Sequence, residues 1–336
     1  MDQINHFDSI LSNYNIGEIS SITSHESGTK NKGYEIWIEG QKKYFLREKD
    51  SSTIYKDLEY DHSLMNYFSE HHISTPFPVN NNDGNTITEF SGSYYELTKY
   101  IEGETFIRDS EDHLLIAGRD LAKFHLTGIG FQSVYSKSFG RIDPPGPARK
   151  TFNAFFTNDK DNLDFPELNV VLHELNLIEE NLTDDVYRSL PQMLIHGDFH
   201  PGNVKYLNDG LVFFDLDWVS IQPRLQDLAY GILFFASIRE DDIDPSNIYS
   251  LTASCKLSMK NSLIFVSAYN SVIELDRKEI NYLPYFIKVA WICCRSDGSQ
   301  KVPLEDRLNY IKEDILRPIE SVNELTDELS KNIKNV

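Results

Sequence analysis

The feature that most constrains this chain is the run His196-Gly197-Asp198-Phe199-His200-Pro201-Gly202-Asn203, set directly after the apolar segment Met193-Leu194-Ile195. Four residues separate Asp198 from Asn203. On a loop that follows a strand, such a pair offers a carboxylate to accept a proton and a neutral oxygen to hold a metal ion. Twelve residues beyond Asn203, Asp215 stands in the stretch Leu211-Val212-Phe213-Phe214-Asp215-Leu216-Asp217. A carboxylate at the end of a buried strand is costly unless it is paired or bound to a cation. A hard ion such as Mg2+ takes one or two carboxylates together with phosphate oxygens. Read as a strand, this stretch puts Asp215 and Asp217 on one face by its period of two. Asp215 is therefore the expected metal ligand, and Asp217 a second contact.

The first hundred residues read as a small sheet with one helix. Tyr34-Glu35-Ile36-Trp37-Ile38 and Lys43-Tyr44-Phe45-Leu46-Arg47 alternate on either side of Gly40-Gln41, the pattern of an antiparallel hairpin. A helix is expected over about 52–70, where Leu58, Met65 and Phe68 recur at helical spacings, before Pro76 and Pro78 end it. A second hairpin is expected to turn on Asn80-Asn81-Asn82-Asp83-Gly84 and to continue through Thr86-Ile87-Thr88 to Tyr94-Tyr95-Glu96-Leu97-Thr98. Beyond Gly103 helical patterns dominate, at 114–126, at 173–182 and from Asp227 onward. Residues 131–151 contain Pro144-Pro145-Gly146-Pro147 and read as a loop. The chain is thus expected to be α+β, with a sheet-rich lobe over 1–98, a connecting segment at 99–103 and a larger, mostly helical lobe over 104–336.

Three pieces in combination carry a family signature: residues 196–203, residues 213–218 and Arg224-Leu225-Gln226-Asp227-Leu228-Ala229. The pattern H-G-D-x-H-x-x-N, then a hydrophobic-D-x-D strand, then R-x-x-D-L-A resembles the aminoglycoside phosphotransferase and choline kinase family. The spacing of Asp198 and Asn203 is that of the kinase catalytic loop. The resemblance implies a protein-kinase-like two-lobe fold and transfer of the γ-phosphoryl group of ATP, or GTP, to a hydroxyl of a small molecule. It also implies Mg2+ as the metal. Position by position, it makes Asp198 the base and Asn203 and Asp215 the metal ligands, with Asp217 adjacent. Asp227 becomes a brace that accepts backbone N–H bonds from the catalytic loop; a plain helix N-cap is the simpler reading. His200 falls where protein kinases carry a lysine, within reach of the γ-phosphate. His196 reads as a packing residue.

The nucleotide side is signed more faintly. Gly28 and Gly33, with small polar residues between them, suit a turn whose backbone N–H groups face phosphates, although an ordinary hairpin turn has the same composition. Arg47 occupies the strand position where kinases place a phosphate-binding lysine, and Lys49 shares its side of the strand. Its partner carboxylate is expected on the following helix, at Asp61 or the neighbouring Glu59. Adenine is expected against the main chain of residues 96–100, with Thr98 and Tyr100 at that edge.

Composition narrows the partners. The formal charge of −20 over 336 residues repels nucleic acid and anionic lipid, and is compatible with a cationic acceptor. The longest nearly apolar stretch, 228–238, is too short to span a bilayer. The first ten residues have neither a basic start nor an apolar core, so no secretory leader is expected. Cys255, Cys293 and Cys294 lack metal-ligand spacing and read as buried thiols of a cytoplasmic protein. Asp227 follows Asp217 by only ten positions, too few for the peptide-binding activation segment of a protein kinase. A small acceptor in a pocket of the helical lobe follows. The acidic run Glu240-Asp241-Asp242 with Asp244, and the aromatic group Tyr282, Tyr285, Phe286 and Trp291, are candidate walls for an amine or amino sugar. Solvated charge and helix core are the plainer readings of both. The competing reading from another class is a catalytically silent kinase-fold protein that binds nucleotide and acts as a scaffold.

Overall fold

The structure, a computed structural model, describes all residues except 1, 26–30, 138, 159–165, 209, 241–242, 245–246, 314 and 333–336. The chain forms two compact units, one comprising Met1–Glu104, Phe131–Ser138 and Val212–Asp217, the other Thr105–Gly130, Phe139–Leu211 and Trp218–Val336.

The first unit contains α1 (Asp2–Leu11), β1 (Ile19–His25), β2 (Lys32–Ile38), β3 (Gln41–Glu48), α2 (Tyr55–Glu70), β4 (Thr88–Phe90) and β5 (Ser93–Lys99). Its five strands form one antiparallel sheet in the order β1-β2-β3-β5-β4. Glu39 and Gly40, both at positive φ, make the two-residue turn between Ile38 and its partner Gln41, the turn type that matches strand twist. Ile36, Leu46, Tyr95 and Leu97 of the sheet pack with Phe7, Ile10 and Leu11 of α1 into a buried core. Residues 131–137 return to α2: the Phe131 ring lies 5.4 Å from Tyr60 and 5.5 Å from Tyr67, and Ser133 shares a 2.8 Å hydrogen bond with Ser63.

Two expectations for this unit need correction. The second hairpin turns on Ser91 and Gly92, both at positive φ, while the Asn81 carboxamide ties 81–85 into a separate turn by accepting from Asp83 N and Asn85 N. The stretch 211–217 is not one strand: pairing ends at Phe213, Asp215 takes a left-handed φ of 58°, and Leu216–Trp218 forms a 3-10 turn. The two aspartates are related by a turn, not by pleat parity.

The second unit is mostly helical. In chain order it holds α3 (Glu111–Gly128), α4 (Pro145–Asn158), α5 (Pro166–Asn181), α6 (Asp184–Ser189), β6 (Gln192–Ile195), β7 (Val204–Leu207), the start of β8 (Gly210–Phe213) and β9 (Ser220–Pro223). Then follow α7 (Leu225–Phe234), β10 (Ser237–Ile238), α8 (Ile248–Leu251), β11 (Lys256–Leu257), α9 (Met259–Asn270), α10 (Arg277–Lys301), α11 (Arg307–Lys312) and α12 (Leu316–Asn332). The expected loop over 131–151 contains the start of α4. Proline is tolerated in a first turn because its missing N–H would be unbonded there, so Pro145 and Pro147 begin the helix rather than forbid it. A Cβ on Gly118 of α3 would lie 2.2 Å from the Phe265 carbonyl oxygen of α9, so glycine is what lets these helices meet. Arg224 and the buried Glu279 join the start of α7 to α10 through two 2.6 Å bonds. Trp291 and Phe286 are core residues, with Trp291 Nε1 donating to Ile315 O. Of the acidic run, Glu240 and Asp244 are exposed and residues 241–242 lie outside the described residues. Among the described residues no helix is long and apolar enough to cross a membrane, and the three cysteines are free thiols.

Candidate active site

The His196–Asn203 loop is held in place by glycine and by a buried carboxylate. It leaves β6, which pairs with β9 from Gln192↔Pro223 to Ile195↔Ser220. Gly197 takes φ 83°, and a Cβ there would lie 2.5 Å from Trp218 O, so both backbone conformation and space require glycine. Asp227, fully buried in the first turn of α7, accepts from His196 N at 2.6 Å and Gly197 N at 2.9 Å. The same carboxylate meets His125 Nε2 at 2.9 Å, and His125 Nδ1 meets Tyr269 OH at 2.8 Å. The brace is thus present, but Asp227 is not the N-cap, which is Arg224.

The loop presents Asp198, His200 and Asn203 together. Asn203 Nδ2 donates to Asp198 O at 3.0 Å and Asp198 Oδ2 at 3.1 Å. Gly202 N donates to His200 Nδ1 at 3.0 Å, which puts the ring proton on Nε2, 3.6 Å from Asp198 Oδ2. Asp198 N donates likewise to His196 Nδ1 at 3.3 Å. Burial alone raises the Asp198 carboxyl, but His200, His196 and the Asn203 bond outweigh it and hold it below the ordinary carboxylate value. A half-buried, ionised carboxylate able to accept a proton results.

In the first unit a second charged group surrounds Asp215 and Asp217. Arg47 Nη2 lies 3.0 Å from Asp215 Oδ1 and Arg47 Nη1 lies 3.7 Å from Asp217 Oδ1. The buried Lys49 spans Asp217 Oδ1 at 3.0 Å and Glu96 Oε2 at 3.2 Å. Asn31 Nδ2 donates to Asp217 Oδ2 at 2.9 Å, and Asn31 Oδ1 accepts from Asp50 N. Glu96 also meets His62 Nε2 at 2.7 Å. Burial raises Glu96, yet Lys49, His62 and Arg47 bring it down to about 2. Burial likewise raises Asp217, while Lys49 and Arg47 drive it far below the carboxylate range. Both carboxylates therefore stay ionised and fix the two cations.

Asp61 does not partner Arg47. Its carboxylate takes Lys137 Nζ at 2.7 and 2.8 Å, both side chains being buried, and it is Glu96 of β5 that faces Lys49. Glu59 is half-buried on α2. Thr98 and Tyr100 engage elsewhere: Thr98 Oγ1 donates to Phe45 O, Tyr100 N donates to Lys43 O, and the Tyr100 ring lies 5.0 Å from Lys42 Nζ. Gly28 lies outside the described residues.

A model of the phosphotransferase enzyme family matches residues 21–247, two thirds of the chain. The chain belongs to this family. Homoserine kinase from Parvibaculum lavamentivorans is 24% identical over 278 residues, covering 82% of this chain and 79% of that one; homoserine kinase from Brucella anthropi is 26% identical over 286 residues, covering 84% and 79%. Among solved structures, an amicoumacin kinase superposes with TM-score 0.68 at 16% identity over 98% of this chain and 94% of the other. Choline kinase from Cryptosporidium parvum superposes with TM-score 0.65 at 14% identity over 100% and 99%. The fold is the α+β, protein-kinase-like one. The chain is a phosphotransferase, a small-molecule kinase with a hydroxyl acceptor.

In this phosphotransferase several buried polar residues carry little or no local sequence signal. Glu96 had a signal, a lone acid in the apolar run Tyr94-Tyr95-Glu96-Leu97. His125 and Lys137 had none, since their partners stand 102 and 76 residues away.

Proposed function

We propose that this phosphotransferase transfers the γ-phosphoryl group of ATP to a hydroxyl of a small amine-bearing acceptor, an amino alcohol, amino acid or amino sugar, with Asp198 as base. The observation that carries the assignment is the Asp198 carboxylate, held ionised beside Asn203 Nδ2 and His200 Nε2–H on a braced loop. In the reaction the acceptor oxygen bonds to the γ-phosphorus, the bond to the β–γ bridging oxygen breaks, and the acceptor's proton passes to Asp198. Arg47 and Lys49 supply positive charge to the phosphates, and His200 Nε2–H is a donor for a γ-phosphate oxygen. The main chain of residues 96–100 is assigned to the adenine edge, at groups other than Tyr100 N, which is spent on Lys43 O. Relatives named homoserine kinase, and related folds crystallised with AMP-PNP and with ADP, support a nucleotide donor and a small hydroxyl acceptor.

Asn203 and Asp215 suit a hard divalent ion. Asn203 uses its Nδ2 on Asp198 and leaves a carboxamide oxygen, and Asp215 Oδ1 is a buried oxygen without a geometrically aligned hydrogen bond among the described residues, 3.0 Å from Arg47 Nη2. Mg2+ bound by oxygens of this kind would neutralise charge on the transferring phosphates. Asp217 is assigned to positioning Lys49 and Arg47 rather than to the metal, since both its oxygens are engaged. Three free thiols fit a reducing cytoplasm.

The test is ADP release by the purified protein with MgATP and a panel of amino alcohols, hydroxy amino acids and aminoglycosides. Acceptor-dependent release that Asp198→Ala abolishes is the expected result. Nucleotide binding without turnover on any acceptor would favour the scaffold reading.

A further inference from the structure

We propose that Tyr269 and His125 are positioning residues for the proposed base, the inner links of a hydrogen-bond chain that runs in one direction from Arg224 to the Asp227 carboxylate. The inference rests on the kinase reading above and adds to it two fully buried residues, one on α3 and one on α9.

The two side chains meet because their helices do. Gly118 lets α3 approach α9 at Phe265, and His125 and Tyr269 follow these residues at helical spacing on the same faces. Both side chains are 0% exposed, so their polar atoms need partners inside the protein. The rings stand edge to face with centroids 5.6 Å apart, and His125 Nδ1 lies 2.8 Å from Tyr269 OH. On its other side the imidazole meets Asp227 Oδ2 at 2.9 Å. Arg224 stands at the far end of the chain, its guanidinium 5.7 Å from the Tyr269 ring centre and paired with Glu279.

The donors and acceptors admit one direction only. Arg224 has N–H groups and no acceptor, so the Tyr269 oxygen accepts from it. Burial raises the Tyr269 hydroxyl, and the charge and hydrogen bond of Arg224 offset this only in part, so the phenol keeps its proton. Among the described residues that proton has one acceptor, His125 Nδ1. The imidazole proton therefore sits on Nε2 and goes to Asp227 Oδ2, the oxygen that also accepts from His196 N at 2.6 Å, while Oδ1 accepts from Gly197 N at 2.9 Å. The next residue is Asp198, whose N donates to His196 Nδ1 at 3.3 Å. The opposite tautomer would set an N–H against the phenol O–H and a lone pair against the carboxylate, unfavourable at both ends. Bonds of one polarity strengthen one another. A carboxylate short of the His125 donor is free to turn, and the two amides that carry Asp198 turn with it.

The experiment compares the wild-type chain with Tyr269→Phe, His125→Leu and His125→Gln, each shown to be folded by circular dichroism. Tyr269→Phe removes one hydroxyl and should lower kcat about 10-fold while leaving KM for MgATP and for the acceptor unchanged. His125→Leu breaks the chain and should lower kcat about 100-fold, whereas His125→Gln should recover most of that loss, because a carboxamide accepts at Oε1 and donates at Nε2. Two NMR readouts need no turnover. In protein labelled with 15N-histidine, the signal that His125→Gln removes should show a protonated Nε2 and a bare Nδ1. Tyr269→Phe should also shift the backbone amide resonances of Gly197 and Asp198. The opposite tautomer, unmoved amides, a wild-type kcat in Tyr269→Phe, or equal losses in His125→Leu and His125→Gln would each overturn the proposal. Turnover retained in Asp198→Asn sinks the kinase reading instead and leaves the NMR readouts standing.

Discussion

Asp227 is fully buried, and a buried carboxylate survives only through its partners, here His196 N, Gly197 N and His125. Asp227→Ala leaves two buried N–H groups without acceptors, at about 1–3 kcal/mol each, and should lower the urea midpoint sharply. Asp198→Asn removes the base but keeps the shape; kcat should fall about 10²- to 10⁴-fold while the urea midpoint stays within the range of a neutral change. Asp143 carries a pH signature. Its folded value of about 7 lies above the unfolded 3.8, so the folded state keeps a proton that the unfolded state has lost. Its contribution to stability is present below about pH 4 and is lost as pH rises to about 7. Urea unfolding at pH 5 and pH 7.5 should show this loss, on the order of 1 kcal/mol after solvent screening, and Asp143→Asn should remove it. The catalytic loop was readable from sequence because Asp198, His200 and Asn203 are spaced locally. Asp143, His125 and Lys137 were not, because distant pairings give them meaning.

The elements were legible wherever a single periodicity ruled. The β2–β3 hairpin and helices α2, α3 and α5 follow their apolar spacing, and the Asp215–Asp217 geometry does not, because a left-handed residue breaks the period of two. The α4 start was hidden because the prolines that usually stop a helix sit in its first turn, where they cost nothing. Between elements, Arg224 and Glu279 tie α7 to α10 with both charges buried. Arg224→Met strands the Glu279 carboxylate and should cost about 3–5 kcal/mol, whereas Arg224→Met with Glu279→Leu should recover most of it. A urea-unfolding double-mutant cycle checks this; equal costs for the single and double variants would contradict it.

At the scale of the whole molecule, the family match and the superpositions establish the fold, and each of the two units holds one charged group. One holds an ionised carboxylate on a braced loop, and the other sets two cations against two carboxylates. With a formal charge of −20 the chain as a whole repels a polyphosphate, so the proposed nucleotide depends on such placed cations. The central claim is that phosphate moves to an acceptor hydroxyl with Asp198 as base. Phosphorus-31 NMR of a reaction containing MgATP and an amine-bearing acceptor tests it most directly. The account predicts a new phosphomonoester resonance that grows with ADP and vanishes in Asp198→Asn. Inorganic phosphate as the sole product, or an undiminished phosphomonoester in that variant, would contradict it.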